Sequence, residues 1–162
     1  MANESSRLMR SEADELDLGK CAEIVSACVC LQLRKASRTI TQLYDERLRP
    51  SGVLATQLPF LVTLALTDSP TITHLALELV MDRTSVTRHL APLEKHGLIK
   101  IVPGEDRRTR QVSLTALGLE FLAKAIPLWE EAQAHVVERL GQRRTLHLRE
   151  NLAAAMLAAN PD

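Results

Sequence analysis

The stretch TITHLALELVMDRTSVTRHLAPLEKHGLI, residues 71–99, predicts two short helices joined by a tight turn. The first helix is expected over residues 73–79, and a two-residue turn follows it. Asp82 is expected to cap the second helix, because an aspartate in that position accepts a hydrogen bond from a free N–H of the first turn. The second helix runs to His96, and Gly97 supplies the left-handed residue that commonly ends a helix. Two helices connected in this way form a helix-turn-helix.

The second helix has an apolar face and a polar face. At 100° per residue, three apolar side chains fall within about 60° of one another and are predicted to face the core: Val86, Leu90 and Leu93. The opposite face carries Thr84 and Arg88, with Ser85 beside them, and His89 is expected to be solvated or packed at an edge. An arginine can donate two hydrogen bonds to guanine, and short hydroxyls can reach bases or phosphates. A merely solvated helix shows the same pattern, so this face alone does not establish DNA binding.

A β-hairpin with a basic tip is predicted directly after the helix-turn-helix. Residues 99–101 and 112–114 each alternate between apolar and polar side chains, as half-buried strands do. The tip between them carries three arginines: Arg107, Arg108 and Arg110. Because the negative potential of a minor groove attracts arginine, this tip favours a DNA-binding wing over a solvated loop. We expect Asp106 to pair with Arg108 and order the tip.

Charge is unevenly distributed, although twenty basic residues balance twenty acidic ones. Residues 83–110 contain seven lysines and arginines and three acidic residues, a local excess of +4. The first twenty residues contain three basic and five acidic residues, a local charge of −2. A neutral protein with its charge segregated in this way can still bind DNA.

Further helices are predicted on both sides of this region. We expect one long helix over residues 20–48, whose apolar stripe is broader than the core of one small domain needs, so part of it should face a partner chain. Thr56 is expected to cap a helix that ends at Leu66. Downstream, helices are predicted over residues 116–140 and 144–158.

Composition predicts a cytoplasmic globular protein that does not enter a membrane. Of 162 residues, 46% are hydrophobic and only 2% aromatic, so the core must be built from aliphatic side chains, which favours helices. No apolar run approaches the roughly 18 residues of a membrane-spanning helix. Residues 1–18 are polar and lack periodicity, so we expect a flexible arm rather than a signal sequence.

The chain resembles the MarR family of bacterial winged-helix regulators. The pattern D-R-x-x-V-T-R-x-L-x-x-L-E-x-x-G-L-I begins at Asp82, D-x-R begins at Asp106, and L-T-x-x-G begins at Leu114. The resemblance implies a mainly α fold with a small β-hairpin wing. It also implies one domain over residues 19–162, whose parts are a winged helix-turn-helix over 54–117 and dimerisation helices over 20–50 and 118–160.

The resemblance implies how such a chain would work. The family's members are obligate homodimers whose two recognition helices read adjacent half-sites of a pseudo-palindrome in double-stranded DNA. By the family pattern, Ser85, Thr87 and Arg88 would face bases and phosphates, and Asp106 and Arg108 would order the wing. We therefore predict a sequence-specific transcriptional repressor that is released by a small ligand or by thiol oxidation.

Three cysteines raise the question of a redox sensor: Cys21, Cys28 and Cys30. By the resemblance, Cys30 lies where the organic-peroxide-sensing branch of the family carries its reactive cysteine, and Tyr44 matches a tyrosine that holds the thiol. That branch uses more than one tyrosine, whereas Tyr44 is the single tyrosine of this chain. Free cysteines also serve as small packing residues, so a sensor and inert packing both stay open. On one continuous helix, Cys28 and Cys30 would point about 200° apart and could not share an ion, so we predict neither a metal nor a cofactor.

Two other classes of function are weighed against a regulator. One is a small thiol-dependent enzyme built on Cys30, and the other is a helical interaction module whose basic loop binds an acidic protein. The sequence contains no G-x-S-x-G motif, phosphate-binding glycine loop or metal-ligand cluster, so an enzyme is not predicted. A steep fall of duplex affinity with salt, together with sequence preference, would separate the regulator from both alternatives.

Overall fold

The computed structural model describes residues 16–104, 106 and 108–159. The chain divides into two compact units, Met1–Ile40 and Thr41–Asp162. In chain order the described elements are α1 (Leu18–Ala27), α2 (Val29–Leu48), a 3₁₀ turn (Arg49–Ser51), α3 (Leu58–Leu66), α4 (Ile72–Glu78), α5 (Arg83–Lys95), β1 (Ile99–Pro103), β2 (Arg110–Leu114), α6 (Ala116–Leu140) and α7 (Gln142–Ala159). The predicted class is confirmed, because the fold is mainly α with one antiparallel hairpin.

The predicted flexible arm ends slightly earlier than expected. Asp17 caps α1 by accepting a hydrogen bond from the N–H of Lys20 at 3.0 Å, so the first helix begins at Leu18. The rest of the arm, residues 1–15, lies outside the described part of the chain. The single domain over residues 19–162 stays a prediction.

The long helix predicted over residues 20–48 is interrupted, so that prediction was wrong. Cys28 adopts an extended conformation, with φ −70° and ψ 110°, and separates α1 from α2. The Ser26 hydroxyl donates to a carbonyl one turn back in α1, and the Gln32 amide donates to a carbonyl near the end of α1 at 3.0 Å. Such bonds compete with the helical ladder and satisfy the carbonyls of a helix end. Because of this break, Cys28 and Cys30 do not lie on one continuous helix.

Thr56 does not cap the next helix, contrary to the prediction. Helix α3 begins at Leu58, and Gln57 precedes it without a side-chain cap bond. The Gln57 side chain instead accepts from the backbone N–H of Leu54 at 3.0 Å. Pro59 fills a position in the first turn where no backbone N–H is needed. The start of α3 is therefore set by the hydrogen bond between Gln57 and Leu54 and by Pro59, and no threonine hydroxyl is required as a cap.

The first helix of the helix-turn-helix, α4, begins one residue earlier than predicted. The Thr71 hydroxyl caps it by accepting from the N–H of His74 at 3.2 Å. After α4, Val80 turns the chain with a φ of 51°, a left-handed conformation that costs a residue with a side chain about 1–2 kcal/mol. The N–H of Met81 then donates to the carbonyl of Ala76 at 2.8 Å and closes the turn.

Helix α5 begins as predicted and ends at Lys95, one residue before the predicted end at His96. Asp82 caps it by accepting from the N–H of Ser85 at 2.8 Å, and Gly97 follows its end with a φ of 71°. The predicted core face is also confirmed, because its three members have no exposed surface: Val86, Leu90 and Leu93. The polar face of α5 is thereby turned away from the core of the second unit.

The hairpin is anchored at its base to the helix-turn-helix. Strands β1 and β2 pair with Ile99 opposite Leu114 and Ile101 opposite Val112. The fully buried Val112 donates its N–H to the carbonyl of Pro70, just before α4, at 3.0 Å. Asp106 and Arg108 lie beyond this paired region, whereas Arg110 pairs with Pro103 at its end.

The start of α6 is held against the end of α5. The Thr115 hydroxyl donates to the carbonyl of Gly97 at 2.6 Å and accepts from the N–H of Gly118 at 3.0 Å. The Thr115 N–H donates to the carbonyl of Leu98 at 3.1 Å. A Cβ atom on Gly118 would overlap the Leu98 carbonyl oxygen. The L-T-x-x-G motif therefore has a physical basis: threonine ties the two helices together, and glycine lets them approach.

Replacing Gly118 by alanine is expected to lower the free energy of unfolding by about 1–3 kcal/mol, because the added methyl must displace the Leu98 carbonyl. In an unconstrained helix the same change would raise the free energy of unfolding by roughly 0.5–1 kcal/mol. The sign of the measured change therefore distinguishes a crowded position 118 from an open one. Urea unfolding followed by circular dichroism measures the effect. Glu120→Ala, at an exposed position two residues further along α6, is the control and should change stability little. A Gly118→Ala protein as stable as the wild type would show that the close approach of position 118 to the Leu98 carbonyl does not require glycine.

Candidate nucleic-acid interface

The N-terminal end of α5 is fixed by an ionised cap. The pKa of Asp82 lies below its ordinary value because the Ser85 side chain and then the Ser85 N–H donate hydrogen bonds to the carboxylate. The carboxylate is therefore charged near neutral pH and occupies the end of the helix. An incoming phosphate would meet this negative charge, so side chains further along α5 are better placed to bind it.

The predicted DNA-contacting residues of α5 lie on its outer side. Thr84, Thr87 and Arg88 are exposed, and Ser85 is half-buried. The Arg88 Nη2 atom lies 3.4 Å from the Ser85 Oγ atom, so the serine connects the cap to the guanidinium group. The Thr87 hydroxyl donates to the carbonyl of Arg83 at 2.9 Å, which leaves its oxygen free only to accept. The structure thus brings Ser85 and Arg88 together on one exposed surface.

At the tip of the hairpin, Asp106 contacts Arg108 through the main chain. Its carboxylate accepts from the Arg108 N–H at 2.9 Å, and its own carbonyl accepts from the N–H and the hydroxyl of Thr109 at 2.8 and 2.7 Å. The predicted partners therefore meet, while the Arg108 side chain is left exposed. The Arg110 side chain is exposed as well, and Arg107 lies outside the described residues.

An aromatic contact behind α5 is not indicated by any sequence pattern. The His89 ring stacks on Phe60 of α3, with the ring centroids 5.4 Å apart and the planes at 22°. Phe60 is buried and His89 half-buried, which agrees with the edge-packed alternative, although the aromatic partner was not predicted. The two positions are far apart in the chain and come together only through the packing of α3 against α5.

Comparison with known proteins agrees with this geometry. A sequence model described as the MarR family matches residues 55–109. The Mycobacterium tuberculosis transcriptional regulator MosR, whose crystal structure is known in complex with DNA, is 36% identical in sequence to this chain. The two structures superpose with a TM-score of 0.73. That match covers 83% of this chain and 99% of MosR. The chain belongs to the MarR family.

Two further structures share the MarR-family fold at lower identity. The repressor CouR of Rhodococcus jostii, bound to a 23-mer DNA duplex, is 24% identical with a TM-score of 0.73, over 88% of this chain and 99% of CouR. A MarR variant from Escherichia coli, complexed with operator DNA, is 21% identical with a TM-score of 0.73, over 83% and 97% of the two chains. None of the curated protein sequences is significantly similar to this chain. The predicted winged-helix fold and family resemblance are thereby confirmed.

The sensor candidates of this MarR-family chain differ in exposure and in partners. All three cysteines are free thiols; Cys21 and Cys28 are half-buried and Cys30 is exposed. The Tyr44 hydroxyl donates to Oε1 of Gln133 at 2.6 Å, and burial raises the pKa of Tyr44. Tyr44 is therefore protonated near neutral pH, and the described partner of its hydroxyl is an amide rather than a thiol.

An apolar pocket of about 390 Å³ opens between α3 and α6. It is lined by apolar side chains from both helices: Leu58, Pro59, Val62, Ile126 and Trp129. Its volume falls in the range of small-molecule sites in proteins, which is about 300–1,000 Å³. An apolar or aromatic molecule is the chemical class that such a lining would accept.

The described ranges contain neither a cluster of metal ligands nor a membrane-spanning helix. There, no three or more His, Cys, Asp or Glu side chains converge closely enough to hold a metal ion. None of the helices described has both the length and the apolar composition needed to cross a bilayer.

Proposed function

We propose that this MarR-family regulator is a sequence-specific repressor that binds a pseudo-palindromic DNA operator as a homodimer. The observation that carries the proposal is that two exposed basic surfaces, one on α5 and one on the hairpin, belong to elements whose ends are joined by hydrogen bonds. Arg88 lies on α5, Arg108 and Arg110 lie on the hairpin, and Thr115 ties the ends of these elements together. In the winged-helix arrangement a helix enters the major groove and a basic wing follows the adjacent minor groove.

Helix α5 and the wing have different roles in this proposal. Arg88 reads a guanine through two hydrogen bonds, and the nearby hydroxyls face the bases and phosphates: Thr84, Ser85 and Thr87. The Thr87 hydroxyl can only accept there, from a donor group of a base. The wing arginines bind the phosphate backbone and the minor groove: Arg107, Arg108 and Arg110. Asp106 does not contact DNA, because its charge repels phosphate, and it orders the tip instead.

Exposed apolar side chains support the homodimer. In the first unit they include Ile24, Val25, Val29 and Leu33, and on α7 they include Leu146, Leu148, Met156 and Leu157. Leu157 alone keeps 78% of its surface exposed, and burying apolar surface stabilises a protein by about 25 cal/mol per Å². A two-fold dimer covers the same patch on both chains at once. It would need to hold the two α5 helices about 34 Å apart to read successive major grooves.

Two routes of release stay open in the proposal. A small apolar ligand could enter the pocket between α3 and α6, and α3 also carries Phe60, which contacts α5. Alternatively, an organic peroxide could oxidise Cys30, whose side chain is exposed. In that reaction the thiolate sulfur attacks the terminal peroxide oxygen, the O–O bond breaks and an alkoxide leaves, which takes a proton from water to become an alcohol. The cysteine is left as a sulfenic acid.

The DNA contacts are tested with a duplex that the wild-type protein selects from a random pool. Arg88→Ala is expected to weaken binding to that duplex by about 1–3 kcal/mol and to relax its sequence preference, because a bidentate base contact is lost. Arg108→Ala/Arg110→Ala is expected to weaken binding to all duplexes and to lower the slope of log affinity against log salt by roughly one for each phosphate contact removed. Fluorescence anisotropy over a salt series measures both effects.

Arg139→Ala is the matched control for these variants. Arg139 lies in the last turn of α6, some 35 Å of helix away from the hairpin end of that helix, and should not alter binding. If Arg88→Ala and the wing variant both bind like wild type, the assigned contacts are wrong. If the wild type selects no duplex at all, the sequence-specific regulator is wrong and the protein-interaction module gains support.

The thiol route is tested by adding a mild organic peroxide to the complex of protein and selected duplex. Peroxide is expected to release the wild type and to leave Cys30→Ser bound, because serine cannot form a sulfenic acid. Cys21→Ser serves as the control and should be released like the wild type. Wild-type protein that stays bound in peroxide would exclude this route and leave release by a small ligand.

A further inference from the structure

We infer that His89 is a positioning residue for sequence recognition. Its ring, stacked on Phe60, fixes the rotation of α5 about its own axis and so the place at which Arg88 meets the base pairs. The inference rests on the proposed DNA-binding function and adds a residue that does not itself touch DNA.

The position of His89 on α5 suits this role. At 100° per residue it lies about 40° from Leu93 on the buried side and about 40° from Ser85 on the exposed side. It therefore sits at the boundary between the core face and the surface that carries Arg88. A contact at this boundary resists rotation of the helix more directly than one at the centre of the core face.

The partner of His89 is a buried side chain of the core. Phe60 is 2% exposed and belongs to the buried core of the second unit. The ring centroids are 5.4 Å apart and the planes lie at 22°, within the range of favourable offset stacking. The fully buried side chains of α5 are aliphatic and have no flat ring to stack: Val86, Leu90 and Leu93.

A small rotation would be enough to impair recognition. An atom about 6 Å from the axis of a helix moves by roughly 1 Å when that helix turns by 10°. Functional side chains must be held to within about 0.5 Å and 10–20° of their productive geometry. Loss of the stack should therefore reduce the preference for the selected duplex over a scrambled one while leaving the phosphate contacts in place.

The experiment compares wild type with His89→Ala, His89→Leu and His89→Phe, and with His74→Ala, at an exposed position of α4, as the control. Anisotropy gives the affinity for the selected duplex and for a scrambled duplex across a salt series, and circular dichroism confirms that each variant is folded. Phenylalanine restores an aromatic ring without charge or hydrogen bonds, and leucine restores apolar volume without a ring.

We expect the ratio of the affinity for the selected duplex to that for the scrambled duplex to fall roughly tenfold in the alanine and leucine variants. The salt slope of these two variants should be unchanged. In the phenylalanine variant and the control, the ratio should stay near the wild-type value. An alanine or leucine variant with the wild-type ratio would overturn the inference. So would a phenylalanine variant as impaired as alanine, with a lower salt slope, since His89 would then bind phosphate directly. If the wild type itself shows no preference, the proposed function fails first and this inference fails with it.

Discussion

The close approach of Gly118 to the carbonyl of Leu98 is the constraint on which the rest of the second unit depends. It brings the first turn of α6 against the end of α5, and Thr115 completes the junction by donating to the Gly97 carbonyl at 2.6 Å. The same few residues end one helix, begin β1 and begin the next helix. A side chain at position 118 would push these elements apart, because a backbone carbonyl cannot yield as the end of a flexible side chain can.

This junction explains how a protein of zero net charge presents a basic surface for DNA. The hairpin base is held on one side by the bond from Val112 to Pro70 and on the other by the Thr115 junction. Helix α5 is held by its aliphatic face and by the stack of His89 on Phe60. The arginines of the helix and of the wing are consequently carried by the same framework.

The features that the sequence predicted well are those set by local chemistry. The cap at Asp82, the left-handed residue at Gly97 and the apolar face of α5 depend on neighbours within one or two turns. The break at Cys28 was missed because an apolar stripe continues across it, while side-chain bonds from Ser26 and Gln32 end α1. The contact of His89 with Phe60 could not be predicted, because it arises only when α3 packs against α5. The sequence pattern predicted exposed arginines on α5 and on the hairpin, but a pattern within one chain does not fix what such side chains bind.

The most direct test of the account is photo-crosslinking to the selected duplex from single benzophenone side chains. Each of three variants would carry one such side chain. It would replace Thr84 at the exposed start of α5, Arg108 on the wing, or Lys124 on the exposed side of α6. A DNA interface formed by α5 and the wing predicts that the first two positions form crosslinks to DNA and that the position on α6 does not. Crosslinks from α6 with none from α5 or the wing would contradict it, because DNA would then lie on a different face of the protein.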